Sequence, residues 1–494
     1  MTIMLENLKK LSRGTAVYGF GHILTRSIAF VLLPLYTNFL APAELGIVTL
    51  VAAFLAMMNL FFIYGFDSAF LRFYITEKNR DEKRIILSTC YLTVLASSII
   101  FSILIYITSP DIARLLLEDR NFAHLIKISA AILAIDALVL IPLLLLRAQE
   151  KSTQFILIKV ITVVLNIGLN LLFVVWLEKG VAGVFYAQLG ASLGGFLLTM
   201  PVVFPNLIVK YSAVRLKEHL AFGLPYLPTT FAVILMEIID RFFLLQFKGA
   251  AEVGIYGAGY RLAMIMSLLI AGFRFAWHPF FLSVSQQENV KKLFARVLTY
   301  FLLICTSFYL AICFFIEDIV RFEFRGISLF NQAYWHSTSI VPIVMLAYIF
   351  FGVYAIIVVG IHLTKKTKYL PLITFCGAIS NIFGNWFLIP EYGMYGAAWA
   401  TVFSYAIMTV VLYIITQKLY PISYELKRVL KIFIIVLFIY IINSSFYLSV
   451  FFKICLLLGM PLLLTVFHFW LPEERTWLGK IKVISIDRLK SLFI

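Results

Sequence analysis

Two long apolar segments near the N-terminus decide the class of fold. Residues 15–39 read TAVYGFGHILTRSIAFVLLPLYTNF and residues 43–65 read AELGIVTLVAAFLAMMNLFFIYG, with only Leu40-Ala41-Pro42 between them. Each segment is longer than the roughly 20 residues that a helix needs to cross a hydrocarbon core of about 30 Å. The pair therefore predicts two membrane-spanning helices joined by a tight turn.

One cation, Arg26, lies near the middle of the first predicted span. An arginine at that depth costs about 2.5–3.5 kcal/mol on the insertion scale, so we expect it to face a wet cavity or an anion. Tyr18, His22 and Arg26 are spaced at i, i+4 and i+8, which places them on one face of the helix. This face is predicted to line a polar path through the membrane.

The composition is that of a polytopic membrane protein. The 494 residues are 62% hydrophobic and 13% charged, whereas soluble domains carry about 25% charged residues. A net charge of +16 could indicate a nucleic-acid partner, but the cations concentrate in alternate loops, as membrane topology requires. We therefore expect no nucleic acid. The five cysteines lie in apolar runs without a C-x-x-C pair, which predicts neither a disulfide framework nor a zinc site.

Hydropathy places fourteen spans along the chain. Barrel strands alternate in polarity and these runs do not, so the predicted fold is an all-α integral membrane protein. The spans are residues 15–39, 43–65, 85–108, 122–146, 154–176, 180–204, 219–246, 250–276, 293–316, 336–362, 368–389, 393–417, 426–446 and 450–470.

The basic residues predict the orientation of these spans. If both termini lie on one side, that side holds 28 of the 41 Lys and Arg residues in its loops and the adjoining ends of spans, the opposite side holds 8, and five lie deep within spans. If one span were missed or added, all later loops would be assigned to the opposite side and this asymmetry would be lost. The positive-inside rule then puts both termini in the cytoplasm.

Four short motifs occur in both halves of the chain, in the same order. Because six spans separate the copies, the repeats have the same orientation, which predicts two six-helix lobes related by an axis along the membrane normal. The motif pairs are Ala43–Ile47 with Ala251–Ile255, Leu55–Met57 with Leu262–Met264, Asn166-Ile167-x-x-Asn170 with Asn381-Ile382-x-x-Asn385, and Gly180-x-x-Gly183 with Gly393-x-x-Gly396. The predicted divisions are an amphipathic segment (1–14), the N-lobe (15–204), a cytoplasmic linker (205–218), the C-lobe (219–417), two further spans (418–470) and a cytoplasmic tail (471–494).

Polar side chains form a stripe on the fifth span and another on the eleventh. Each stripe follows the spacing of one helical face. They are Lys159, Asn166 and Asn170 in the first copy, and Thr374, Asn381 and Asn385 in the second. Two interpretations stay open for the asparagines: they meet across the axis between the lobes and bind substrate, or they hold helices together by hydrogen bonds. For Lys159 we favour substrate binding.

The seventh and eighth spans carry the other intramembrane charges of interest. Glu237 and Arg241 are spaced at i, i+4 and are expected to neutralise each other. Asp240 would then remain as a coupling site for a proton or sodium ion, with Glu237 beside it. Arg261 lies deep in the eighth span and is expected to face the cavity. Asp67 and Arg72 close the second span and form either a gate or a structural turn.

The opening of the chain resembles a known family. Gly14-Thr15, Arg26, Leu32–Thr37, Leu45–Ile47 and Asp67–Tyr74 resemble the first part of bacterial polysaccharide-biosynthesis (Wzx-type, O-antigen) flippases of the multidrug/oligosaccharidyl-lipid/polysaccharide exporter superfamily. The resemblance implies two lobes around a cationic cavity in the bacterial cytoplasmic membrane. There, alternating access would move an undecaprenyl-pyrophosphate-linked oligosaccharide outward. It also implies a cationic, cavity-lining role for Arg26, Lys159 and Arg261, and contacts with membrane lipids and a polysaccharide polymerase complex.

Two alternatives belong to other functional classes. A multidrug–cation antiporter of the same superfamily would favour an acidic rather than an arginine-bearing first helix. A membrane glycosyl polymerase or ligase would need a large outward loop with catalytic groups, and the longest one predicted here, residues 317–335, has only about 20 residues. The sequence thus predicts a transporter rather than an enzyme. No cofactor is expected, and the candidate energy sources for transport are H⁺, Na⁺ and the membrane potential.

Overall fold

The computed structural model describes residues 28, 30–324, 327–446 and 448–474, and this part of the chain is almost entirely helical. The only strand pairing in it is a two-residue antiparallel pair, β1 (Glu323–Phe324) with β2 (Ile327–Ser328). The α-helices are α1 (Leu33–Phe39), α2 (Pro42–Ile63), α3 (Phe66–Thr76), α4 (Arg80–Leu117), α5 (Ala123–Ala148), α6 (Ser152–Asn170), α7 (Gly180–Val203), α8 (Ala213–Gly223), α9 (Leu227–Lys248), α10 (Ala250–Ala263), α11 (Ile265–Val284), α12 (Val290–Val320), α13 (Val341–Ile357), α14 (Val359–Leu363), α15 (Tyr369–Leu419), α16 (Leu426–Ser445) and α17 (Val450–Val466). A π-helical segment, Leu171–Trp176, extends α6, and 3-10 turns occupy Arg120–Phe122, Phe204–Asn206, Leu224–Tyr226 and Gln332–Ile340.

Ten helical segments of the described residues are long and apolar enough to cross a membrane. Nine of them each contain one predicted span, from the second to the tenth. The remaining one is α15, which contains the eleventh and twelfth spans and is interrupted at Gly393 (φ 52°, ψ −130°). The thirteenth and fourteenth spans coincide with α16 and α17, and the first lies within the described residues only at its end, in α1. The prediction of an all-helical, multi-pass membrane protein is confirmed.

The chain forms two compact units. The larger comprises Met1–Ser283 and Asp318–Tyr420, and the smaller comprises Val284–Glu317 and Pro421–Ile494. The smaller unit has its own apolar core, in which Leu310 and Phe314 of α12 pack with side chains of α16 and α17 such as Ile435 and Met460. The lobe boundaries drawn from the sequence, which put α12 in the C-lobe, stay a prediction.

Repeated motifs make equivalent contacts within the larger unit. At the first residue of α7, a Cβ on Gly180 would lie 3.5 Å from Oε1 of Glu44. In the second copy, Oε1 of Glu252 accepts a 2.6 Å hydrogen bond from the backbone N–H of Met394, next to Gly393. Both glycines have positive φ, 54° and 52°. In each copy a carboxylate thus lies at the start of a helix, where unpaired N–H groups favour negative charge.

The helices that open the two copies of the repeat, α2 and α10, meet at their backbones. A Cβ on Gly46 would collide with the carbonyl oxygen of Ala250, and a Cβ on Gly254 would collide with that of Pro42. The two glycines occupy the same position in the repeated motif Ala-Glu-x-Gly-Ile. Only residues without a side chain permit this approach, so the same small residue is required in both copies.

Candidate functional site

A partly polar cavity of about 530 Å³ lies in the larger unit among α2, α5, α6 and α7. Residues at the end of the first predicted span and one residue of α10 complete its wall. This volume is within the range of small-molecule binding sites. Its polar lining consists of Tyr36, Asn59, Asp136, Lys159, Thr162, Asn166, Gln188, Ser192 and Arg261.

Three of the predicted site residues lie together in this cavity. Lys159 and Asn166 extend from α6, and Arg261 reaches the same space from α10. The structure therefore brings two cations that are far apart in sequence to one cavity. Their role in substrate binding stays a prediction. The other predicted residues of this surface, Tyr18, His22 and Arg26, lie outside the described residues.

Arg261 has an incomplete set of hydrogen-bond partners. Its Nη2 donates to Oγ1 of Thr49 over 3.4 Å, a long contact made possible because Gly257 leaves room for the threonine against α10. Among the described residues, Nη1 is buried and has no hydrogen-bond partner. A buried donor on a charged group that lacks a partner costs more than about 1–3 kcal/mol. An anion bound in the cavity would remove this cost.

The asparagine pairs of the repeat are each joined internally. Nδ2 of Asn170 donates to Oδ1 of Asn166 over 3.1 Å, and Nδ2 of Asn385 donates to Oδ1 of Asn381 over 3.1 Å. Asn170 also accepts a 2.8 Å hydrogen bond from the hydroxyl of Tyr36. Among the described residues, no hydrogen bond links the two pairs, and Asn166 is the only one of the four that lines the cavity.

In the described part of the chain each asparagine pair is joined within its own helix, and the expected meeting of the two stripes across the axis stays a prediction. Asn381 and Asn385 are completely buried. In each pair, a hydrogen bond within the helix satisfies part of the hydrogen-bonding capacity of the two amides. An i, i+4 spacing allows such a bond as readily as it allows contact with another helix. Substrate binding by these asparagines stays a prediction.

Asp240 of α9 has charged and polar partners that the sequence expectation did not give it. Asp240 is completely buried, forms a 3.3 Å ion pair with Arg241 and accepts a hydrogen bond from the hydroxyl of Tyr256. Nη1 of Arg241 also donates to the backbone carbonyl of Glu237. The expectation that Asp240 lacks a cationic partner is wrong, because the neighbouring arginine side chain folds back onto it. The coupling role of Asp240 and Glu237 is a separate matter and stays a prediction.

The predicted gating residues lie where α3 packs against α8. The guanidinium of Arg72 stacks over the ring of Phe222 at 4.4 Å, while Asp67 is exposed in the first turn of α3. Gly65 and Gly223 meet at their backbones, and Gly65 has a φ of 76°. The segment thus has a packing role, and its role as a gate stays a prediction.

Arg215 of α8 strengthens the same junction and was missed by sequence reasoning. It forms ion pairs with Glu77 at 3.1 Å, Glu82 at 2.7 Å and Glu218 at 3.3 Å. Backbone N–H groups of the loop after α3 lower the pKa of Glu77, and Arg215 lowers it further. The lowered pKa keeps Glu77 charged at neutral pH, and the ion pairs of Arg215 hold α8 to the end of α3 and to α4. Only proximity in space identifies them, since loop charges are ordinary in a membrane protein.

Asp136 and Asn59 were also missed as lining residues of the cavity. The sequence marks Asp136 as an acid inside a span, a signal that indicates a functional group by default. Asn59 gives a weaker signal, because it is an uncharged amide in an apolar helix. Its Oδ1 is buried without a hydrogen-bond partner among the described residues.

Comparison with known proteins identifies the family. The family model described as "Polysaccharide biosynthesis protein" matches residues 11–285, more than half of the chain. The chain belongs to this polysaccharide biosynthesis protein family. The family predicted from the opening motifs is confirmed.

Two solved structures and one curated relative are similar over most of their length. The lipid II flippase MurJ in an inward closed conformation is 19% identical, with a TM-score of 0.68, covering 90% of this chain and 98% of that one. An inward-facing multidrug resistance MATE family transporter of the MOP superfamily is 15% identical, with a TM-score of 0.63, covering 80% and 94%. An uncharacterized membrane protein of Methanocaldococcus jannaschii is 22% identical over 431 residues, which cover 81% of this chain and 82% of the relative. The chain thus has the fold of these transporters.

Proposed function

We propose that this protein flips undecaprenyl-pyrophosphate-linked oligosaccharide repeat units, such as those of an O-antigen or lipopolysaccharide, from the cytoplasmic to the outer leaflet of the bacterial inner membrane. The observation that carries the proposal is the buried Nη1 of Arg261, which has no partner among the described residues, in a cavity that also contains Lys159. A guanidinium binds two phosphate oxygens with its planar fork and stays charged when water is excluded. A pyrophosphate carries negative charge that can pair with both Arg261 and Lys159.

Two further facts support a lipid-linked substrate. The chain belongs to a polysaccharide biosynthesis family, and the MurJ structure that shares its fold is, by its name, a flippase for a lipid. Amides and hydroxyls in the cavity wall, from Asn59, Thr162, Asn166 and Gln188, are groups that hydrogen-bond to sugars. Membrane lipids surround the protein, and a polysaccharide polymerase complex is the proposed recipient of the flipped repeat unit.

Alternating access by two lobes is the proposed mechanism. The equivalent contacts of Glu44 and Glu252, and those of Gly46 and Gly254, support a division of the larger unit into two related halves. Together with α12, α16 and α17, the proposed architecture has the fourteen spans that the sequence predicts. The cavity would open first to the cytoplasm and then to the outside as the halves move.

The test of this function is deletion of the gene followed by analysis of lipid-linked glycans. Loss of a flippase should leave complete repeat units on undecaprenyl pyrophosphate at the cytoplasmic face, and the restored gene should clear them. Short or unpolymerised glycans outside the cell would instead indicate a polymerase. Normal glycans on both sides would exclude the protein from the pathway.

The proposed orientation puts both termini in the cytoplasm, on the basis of the 28-to-8 distribution of Lys and Arg. We expect single cysteines placed within residues 365–368 and within residues 317–332, in a background without the five native cysteines, to react from opposite sides of the membrane. Reaction of both from the same side would show that the number of spans between them is wrong.

Asp240 is the proposed coupling residue, with Glu237 beside it. An inside-negative potential favours outward movement of an anion by about 2.3 kcal/mol per charge per 100 mV, so the return of the empty cavity is the step that needs H⁺ or Na⁺. Because Asp240 is buried and paired with Arg241, Asp240→Asn should slow transport in vesicles without weakening substrate binding. If neither this substitution nor collapse of the membrane potential changed the transport rate, the coupling scheme would be disproved.

A further inference from the structure

One acidic side chain shares the cavity with the cations. Asp136 lies on α5 and Lys159 on α6, and both line the cavity wall. Among the described residues that line it, Asp136 is the only carboxylate. Ser192 of α7 lies beside the carboxylate and completes this end of the cavity.

Asp136 and Lys159 attract each other without direct contact. The charge of Lys159 acts on Asp136, and the charge of Asp136 acts on Lys159. No ion pair of 4.0 Å or less joins the two side chains, and none links Lys159 to another described residue. Both side chains line the same cavity. An anion that enters this space can approach Lys159 more closely than the resident carboxylate does.

The charges of Asp136 and Lys159 compensate each other only while no substrate occupies the cavity. An unpaired ammonium inside a membrane protein is costly, and a carboxylate nearby reduces that cost. When a phosphate reaches Lys159, the positive charge gains a second partner and Asp136 faces a like charge. Attraction to Asp136 must therefore oppose substrate binding and favour release.

We propose that Asp136 is the resident counter-ion of Lys159, exchanged against the substrate's pyrophosphate in each transport cycle. Asp136 is a positioning residue, since it acts through Lys159 and does not itself bind the anion. The inference rests on the proposed function, because it requires an anionic substrate at Lys159. The role also bears on the return of the empty transporter: a carboxylate beside Lys159 lowers the cost of one of the two described cations of the empty cavity.

This role predicts opposite effects on binding and on turnover. Asp136→Asn removes the competing charge at nearly constant shape, so the protein should bind undecaprenyl pyrophosphate more tightly, by about tenfold, a typical coupling between two sites. Flipping of a fluorescent undecaprenyl-pyrophosphate glycolipid in vesicles should become slower at saturating substrate. A residue with only a structural role would not strengthen binding when it is replaced.

The experiment titrates undecaprenyl pyrophosphate into the purified full-length protein in nanodiscs and measures flipping in parallel. Asp111→Asn serves as the matched control, because it makes the same chemical change at an exposed ion pair with Arg120. In a Lys159→Gln background, Asp136→Asn should no longer tighten binding. Asp136→Ser replaces Asp136→Asn if the latter fails to accumulate in the membrane.

The outcomes separate this inference from the function on which it rests. Tighter binding with slower flipping, lost in the Lys159→Gln background, supports the counter-ion role. Unchanged or weaker binding by a folded Asp136→Asn or Asp136→Ser protein overturns it while the flippase function stands. If the wild type itself does not bind undecaprenyl pyrophosphate, the proposed substrate is wrong and the counter-ion role fails with it.

Discussion

Arg261→Ala should abolish export of the glycan while the protein still reaches the membrane. Arg261 is the one described arginine in the cavity wall, and its Nη1 is buried without a partner in the described part of the chain. Removal of a charged group that binds a desolvated anion costs about 2–5 kcal/mol. With tenfold for every 1.4 kcal/mol, we expect flipping at limiting substrate to fall by about thirtyfold or more.

Arg261→Lys should keep part of the activity, because it retains the charge and loses the two-pronged geometry. The matched control is Arg274→Ala, which removes an arginine from α11, where the guanidinium stacks over the ring of Phe351 at 5.3 Å rather than lining the cavity. Complementation of a deletion strain and binding of undecaprenyl pyrophosphate are the measurements. Full complementation by Arg261→Ala would remove this arginine from the mechanism.

The sequence predicted the helices well because they depend on local patterns. Apolar runs of sufficient length place each of the second to tenth spans within one continuous helical segment of the described residues. The repeat could be detected because Glu44 and Glu252, each beside a glycine, make the same kind of contact in both copies. A repeated contact requires repeated residues, and these remain visible in the sequence.

Partners of buried charges could not be predicted from helical spacing alone. Arg241 forms an ion pair with Asp240, the adjacent residue, which the i, i+4 spacing of Glu237 and Arg241 did not indicate. A flexible side chain can reach several neighbours, and Tyr256 on the next helix fixes which carboxylate is buried. Asp136 was missed for the same reason, since its partner Lys159 lies on another helix.

The second large effect is expected where α2 and α10 meet at their backbones. A methyl group on Gly46 would collide with the carbonyl oxygen of Ala250, and one on Gly254 with that of Pro42. A backbone carbonyl cannot avoid a clash by changing rotamer, as a side chain can. Gly46→Ala or Gly254→Ala must therefore push these ends of the helices apart. Overpacking of this kind costs about 1–3 kcal/mol.

The added methyl group destabilises only the conformation in which α2 and α10 touch. In the proposed orientation the starts of α2 and α10 lie on the outer side, so separation of the helices destabilises the state in which the cavity is closed to the outside. A penalty of about 2 kcal/mol changes the ratio of closed to open states by about thirtyfold. Both variants should therefore favour an outward-open protein and transport substrate slowly, although their binding residues are intact.

Accessibility of the cavity from outside is the measurement that decides this prediction. In a background without native cysteines, Asn59→Cys places a thiol in the cavity wall, and an impermeant maleimide added to intact cells reports the outward-open state. Labelling should be about ten times faster with Gly46→Ala than without it. Gly272→Ala on α11 is the matched control, because a Cβ there meets nothing within 4 Å. Unchanged labelling and normal transport in Gly46→Ala would show that the helices need not touch for the outer side to close.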